Sequence, residues 1–300
     1  MRVVVLTTHT NNTPILYSAL AASRSVSVIT YDRMHSFDYL SEQVEQLNPD
    51  WVLYIGAIPE HHRLRVPSIP ELKAIQRKKV HLCCDGADDA WWSLLGDYHT
   101  HNVFDLQINI DGVKAGPIGD HGWTTIAPID PSGFGEPIPW SQRKTFAGFA
   151  GLVMGGDRAE TLRALVAKDL ITYRSRDEKG SGDYISWLKD CCVIWNHPET
   201  GGMKSQHVKA RVIEAALAGC LVLEKLGSPL ENWFEPGIEY FEWIDVEQIV
   251  LILDWVKENP SYAESHARRM RNKILTQYNV ETFWQRVERR IGVRDLECVA

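Results

Sequence analysis

The chain has 300 residues, 44% of them hydrophobic and 24% charged, an ordinary globular composition with length for two domains of average size. Its net charge of −7 argues against sequence-independent nucleic-acid binding, which needs a basic footprint, although a local basic patch stays open. No apolar run reaches membrane-spanning length, and the run 3–6 is too short for a signal peptide's core, so a cytoplasmic protein is expected. The six cysteines show no CxxC spacing, which favours buried free thiols over a zinc site.

Residues 3–6 read as a first strand, followed by a polar loop 7–13, with Thr13 and Pro14 placed to open a helix over 15–22. Strand 26–31 follows. This is the layout of a doubly wound domain, where ligands gather beyond the carboxyl ends of parallel strands. His9 in the loop is the candidate substrate contact there, and a plain capping loop is the alternative. No GxGxxG is present, so a dinucleotide fingerprint is absent. Helix 37–47, strand 51–55, a helix from about 70 to 77 and strand 80–84 continue the alternation. His61 and His62 are adjacent, so their side chains diverge, and no metal site is read from them.

The strand ending at 84 runs into Asp85-Gly86-Ala87-Asp88-Asp89. Carboxylates at such a strand end, their pKa raised by one another, are placed to take a proton from an acceptor hydroxyl. Asp85 is the first candidate for this general base and Asp88 the second. The structural alternative is an acidic helix start, with Asp88 as cap and Asp89 in the first turn. Strands at 105–111 and 123–126 follow. Pro131, Gly133, Gly135, Pro137 and Pro139 then mark a linker, 131–143, between an N-terminal domain 1–130 and a C-terminal domain 144–300.

The second half restarts with strand 144–149, a glycine-bearing loop and helix 159–168. Gly151, Gly155 and Gly156 would let backbone N–H groups approach a phosphate, with Arg158 near the helix N-terminus. Strand 170–174, helix 184–189 and strand 192–196 lead to a loop that offers Asn196, His197 and Glu199 to a ligand. The stretch 207–226, HVKARVIEAALAGCLVLEKL, reads as a short helix stopped by Gly219 and a buried strand at 220–223. On that helix a Glu214 carboxylate can accept from a ribose diol, and Lys209 and Arg211 can meet phosphate. Ordinary solvated charges are the alternative. Strand 238–243 and helices 246–258, 262–275 and 280–291 complete the chain. Eleven Trp could supply stacking faces, but core positions are the commoner use.

Lys209 with Arg211, Glu214-Ala215, Ala218-Gly219, the apolar strand 221–223, and Phe234 with Gly237 and Glu239 together resemble the C-terminal half of GT-B glycosyltransferases, in particular the CgeB-like group. The likeness covers the last half of the chain well and the first half in layout only. It implies an α/β, GT-B-like fold of two Rossmann-like domains facing a central cleft, the first for the acceptor and the second for a nucleotide-sugar donor. A C-terminal helix would brace the first domain through Phe283 and Trp284. The implied activity is that of a hexosyl- or pentosyltransferase. Glu214 would hold the ribose, Arg158, Lys209 and Arg211 the leaving diphosphate with Gly151 beside it, and Asn196 and His197 the donor sugar. Asp85 or Asp88 would be the base if the anomeric centre is inverted; a retaining reaction needs none.

The resemblance implies no cofactor beyond the donor as co-substrate, and no metal. The acceptor stays open: a small molecule, a glycan, or, as in some viral GT-B enzymes, a hydroxymethylated DNA base tracked by Arg63, Arg65, Arg77, Lys78 and Lys79. A non-catalytic nucleotide- or sugar-binding module on the same fold is a further alternative. The Glu-x7-Glu motif of many retaining relatives is not reproduced, because Gln206 stands eight residues before Glu214.

Overall fold

The computed structural model describes residues 1–7, 16–30, 39–56, 66–84, 89–113, 122–151, 153, 156–175, 181–199 and 206–293, with the backbone alone at 89–93 and 181–183. It divides into two compact units, Met1–Asp130 with Asn279–Ala300, and Pro131–Tyr278.

The first unit contains β1 (Arg2–Thr7), β2 (Ser25–Thr30), α1 (Leu40–Leu47), β3 (Trp51–Ile55), α2 (Ile69–Ala74), β4 (Lys78–Cys83), α3 (Asp89–Thr100), β5 (Leu106–Asn109) and β6 (Gly122–Thr124). The strands form one parallel sheet in the order β2-β1-β3-β4-β5-β6, with Val3 opposite both Val26 and Trp51. Every residue of β3 is buried, as expected of a central parallel strand covered on both faces. Val4, Leu6, Val52 and Tyr54 pack against Leu40 and Val44 of α1 and Leu72 of α2. Ser68 and Glu71 close a capping box at the start of α2, with Pro70 in its first turn. Of the helix expected at 15–22, Leu16 and Tyr17 are α-helical and Ser18–Ala22 continue as a 3₁₀ turn.

The second unit contains β7 (Thr145–Ala150), α4 (Gly156–Ala167), β8 (Thr172–Arg174), α5 (Ser181–Asp190), β9 (Cys191–Trp195), α6 (Ala210–Leu217), β10 (Leu221–Lys225), β11 (Phe241–Trp243), α7 (Val246–Glu258) and α8 (Pro260–Gln277). Its sheet is also parallel, ordered β11-β10-β9-β7-β8. The last strand is shorter than expected because Gly237 turns the chain at φ 73°, its N–H donating to Tyr240 O at 2.8 Å.

Two boundaries differ from the expected ones. Residues 131–143 pack on the second unit instead of hanging between domains. Trp140 Nε1–H donates to Gly219 O at 3.1 Å, and Arg143 donates to Ile138 O at 2.8 Å, Ala218 O at 3.1 Å and Cys191 O. The final helix, α9 (Val280–Arg290), belongs with the first unit. Its Trp284 lies 6.2 Å from Trp51, ring to ring, and Phe283 stacks on Trp123 at 5.0 Å. Buried Arg24 pairs with Glu288 at 2.5 Å and Glu281 at 2.8 Å. The second unit therefore ends at Tyr278 and not at residue 300.

Cys83, Cys191, Cys192 and Cys220 are buried free thiols. Burial pushes the last three up, so they stay protonated. Among the described residues no helix is long and apolar enough to cross a membrane.

Candidate functional site

The carboxyl edge of the second sheet gathers most of the sequence candidates. Helix α6 is set by its apolar residues: Val212, Ile213, Ala215, Ala216 and Leu217 are all buried. It stops where Gly219 takes φ 78°. A side chain at Gly219 would also place its Cβ 2.7 Å from Pro137 Cβ. Glu214 is not a solvated surface charge. It is buried, and its Oε2 accepts from Tyr184 Oη–H of α5 at 2.9 Å. Burial raises its pKa, with Tyr184 and Arg211 pulling the other way.

The Arg211 guanidinium lies over the Phe149 ring, 4.8 Å from its centroid, and against Gly151. A Cβ at Gly151, whose φ is 147°, would lie 2.7 Å from Arg211 Nη2. The Gly151 N–H already donates to Arg174 O at 3.1 Å. This glycine thus makes room for a guanidinium, and its own N–H is spoken for. Arg158, in the first turn of α4, donates from Nη1 to Glu199 O at 2.9 Å, while its buried Nε has no partner among the described residues. Burial and the charge of Arg211 both lower its pKa. Two cations that repel each other at one edge are placed to take an anion.

Asn196 and His197 are fully buried, so they shape this edge from beneath instead of presenting polar atoms to solvent. Asn196 Nδ2–H donates to Glu224 Oε2 at 2.7 Å, and its carbonyl accepts from Trp243 Nε1–H at 3.1 Å. The His197 ring packs against Trp195 and Trp243, with centroids 6.1 and 5.6 Å away. Its Nδ1 accepts the Glu199 N–H at 3.4 Å and its Nε2 lies 3.2 Å from Asp157 Oδ2, which fits a neutral ring protonated at Nε2. Burial lowers its pKa. Lys209 stands at the N-cap position of α6, and its side chain contacts the His207 ring.

Glu224, Asp157 and Lys225 were not among the sequence candidates. Glu224 is buried at the end of β10, and burial pushes its pKa up to about 7 although Asn196, Ser228, Arg211 and Lys209 oppose this. Among the described residues its Oε1 and the Oδ1 of neighbouring Asn196 have no partner. An acidic residue inside the apolar run LVLEK was the available signal. Among the described residues one group has metal-ligand spacing: Asp157, His197 and Glu199 offer atoms within 4.8 Å of one another. The Lys225 ammonium sits in that group, paired with Asp157 and 3.5 Å from both Glu199 Oε1 and His197 Nε2. His9, Asp85 and Asp88 lie outside the described residues.

Residues 151–289 match a protein-family model described as glycosyl transferase-like. No curated protein matches the chain in sequence. Solved structures do match it in shape. Alr3699/HepE of Anabaena in complex with UDP and glucose is 11% identical, with TM-score 0.65 over 98% of this chain and 100% of that one. An alpha-glucosyltransferase in complex with UDP and a 13-mer DNA is 9% identical, with TM-score 0.65 over 96% and 99%. Sucrose-phosphate synthase of Thermosynechococcus elongatus is 11% identical, with TM-score 0.57 over 98% and 100%. The chain thus has the α/β GT-B fold of glycosyltransferases, and its second unit carries nearly all of the glycosyl transferase-like match.

Proposed function

We propose that this protein is a glycosyltransferase that moves a sugar from a nucleotide-diphosphate donor, of which UDP-sugars are the first to test, to an acceptor hydroxyl. One observation carries the reading. Within the region matching the glycosyl transferase-like model, Arg158 and Arg211 form a cationic edge, and Arg211 also lies close enough to buried Glu214 to lower its pKa. The two guanidiniums suit a diphosphate, and Glu214 with Tyr184 suits a ribose diol. Charge that develops on the departing diphosphate would be stabilised most in the transition state, so these cations would raise the rate as well as the affinity. Lys209 belongs to the same basic edge, being near enough, with Arg211, to lower the pKa of Glu224.

In this reading Asn196 and His197 form the floor under the donor, no metal takes part, and Asp85 or Asp88 is the base if the reaction inverts. The motif run from Lys209 to Glu239 favours the CgeB-like group among GT-B enzymes. A DNA acceptor is less well supported. Arg77 is paired with Glu45 and Lys78 with Asp105, so two cations of the proposed track are engaged within the first unit.

The test is thermal denaturation with UDP, GDP, ADP, CDP and dTDP, with and without EDTA, on the protein and on Glu214→Ala. Saturation at about 100 times Kd adds about 2.7 kcal/mol of stability. A shift with one nucleotide that survives EDTA and is lost in Glu214→Ala is the expected result. No shift with any of them would refute the donor site. A nucleotide that binds while its sugar conjugates are neither hydrolysed nor transferred would identify a binding module instead.

A further inference from the structure

Three side chains from two separate segments converge on one ammonium. Asp157 belongs to the first turn of α4, while His197 and Glu199 follow β9. Lys225 reaches them from the carboxyl end of β10, with its Nζ 6.0 Å from the centroid of the Trp243 ring. Two carboxylates and an imidazole within 4.8 Å form a donor set suited to a divalent ion after slight contraction, once the His197 proton moves from Nε2 to Nδ1, which lies 3.9 Å from Glu199 Oε2; ligand bonds to zinc are about 2.0–2.2 Å long. The charge of this place is already met, because the Lys225 ammonium pairs with Asp157 and lies 3.5 Å from Glu199 Oε1.

We propose that Lys225 is a built-in cation in a three-ligand site, standing where a divalent metal ion would fit, and that it ties the start of α4 to segment 197–199. Arg158 spans the same two segments through its bond to Glu199 O. Lys225 is therefore a positioning residue, setting where the Arg158 guanidinium sits without itself meeting a donor. The consequence for donor binding rests on the glycosyltransferase reading; the nature of the cation site does not.

Replacing the ammonium by an uncharged stem of similar length, Lys225→Met, leaves Asp157, His197 and Glu199 uncompensated. It should convert the place into a metal site. The probe is cobalt(II), followed by its visible absorption in the full chain. Lys225→Met should take up a stoichiometric ion with d–d bands, and the unaltered protein should not. Adding Asp157→Asn, which removes a direct ligand, should weaken that uptake by more than the roughly 10–100-fold that loss of an outer-shell partner alone costs. Lys225→Met should melt lower and recover with cobalt, while Lys225→Arg should need no metal. If Lys225→Met folds poorly, refolding with cobalt gives the same readout, recovery supporting the proposal and no recovery overturning it. Equal cobalt uptake by Lys225→Met and the unaltered protein, whether none or stoichiometric, also overturns it. A parallel UDP titration separates the two readings. If no form binds UDP the donor assignment fails while the cobalt result still decides this one. If UDP binds, Lys225→Met should weaken it and cobalt should restore it.

Discussion

Glu224 offers the sharpest test of the site's electrostatics. Its carboxyl is 1% exposed, and among the described residues neither its Oε1 nor the Oδ1 of Asn196, whose Nδ2–H donates to Oε2, has a partner. Two buried acceptors without a donor are costly, and a proton on the carboxyl relieves the conflict. Burial places its pKa at about 7, against an ordinary 4.5, and that gap is worth about 3 kcal/mol. The direction follows from proton counting. Between these values the folded protein holds a proton that the unfolded chain has released, so this contribution is complete below 4.5 and is lost as pH rises through about 7. Glu224→Gln mimics the protonated acid in shape and keeps an acceptor for Asn196 Nδ2–H. Urea unfolding of both proteins across this range isolates the term, because every other titrating group cancels in the difference. The two should be similar near pH 4.5, and at about pH 8 Glu224→Gln should be the more stable by up to about 3 kcal/mol. A difference that stays constant with pH would show that Glu224 is ionised in the fold, and the argument from burial would fail.

Three further outcomes are expected. Gly151→Ala carries a backbone cost of about 1–3 kcal/mol and displaces the Arg211 guanidinium, so UDP affinity should fall by more than the melting temperature suggests; unchanged UDP binding would remove Arg211 from the donor site. Gly219→Ala should cost about 2–4 kcal/mol in urea unfolding, combining a left-handed backbone with overlap on Pro137 and Arg143, whereas Gly292→Ala, at φ 70° with open space around it, should cost only about 1–2. Arg24→Met removes the buried ion-pair partner of Glu288, which is 1% exposed, and should cost about 3–5 kcal/mol and speed tryptic cleavage of α9; Arg24→Met with Glu288→Leu should recover most of the loss.

Much of the architecture was legible because its causes are local. Strand 51–55 and helix 246–258 were read to their observed ends. The strand is apolar throughout, as burial on both faces requires, and the helix opens on the Asp245 cap, which accepts from Gln248 N–H at 2.8 Å. Gly219 was recognisable as a helix stop, but its second constraint was not, since Pro137 lies far away in sequence. Likewise the breakers at 131–143 announced irregular backbone, and only the burial of Trp140 and the bonds of Arg143 showed which unit that backbone joins.

The site divides in the same way. Residue type and spacing offered Arg211 and Glu214 on one helix, and Arg158 near the start of α4, as candidates, and the family resemblance favoured them over solvated surface charges. Whether a polar residue faces a ligand or the interior depends on the register of strands that meet only on folding, which is why Asn196 and His197 turned out to lie beneath the edge. The partnership of Lys225 with Asp157 spans 68 residues, and Glu224 meets Asn196 across two paired strands. Periodicity and capping act over a few residues, so the sequence by itself determined the elements and the chemistry they carry. Charge pairing and burial depend on neighbours brought together by the sheet, so only the tertiary structure decided which groups are neutral, which are paired and which face outward.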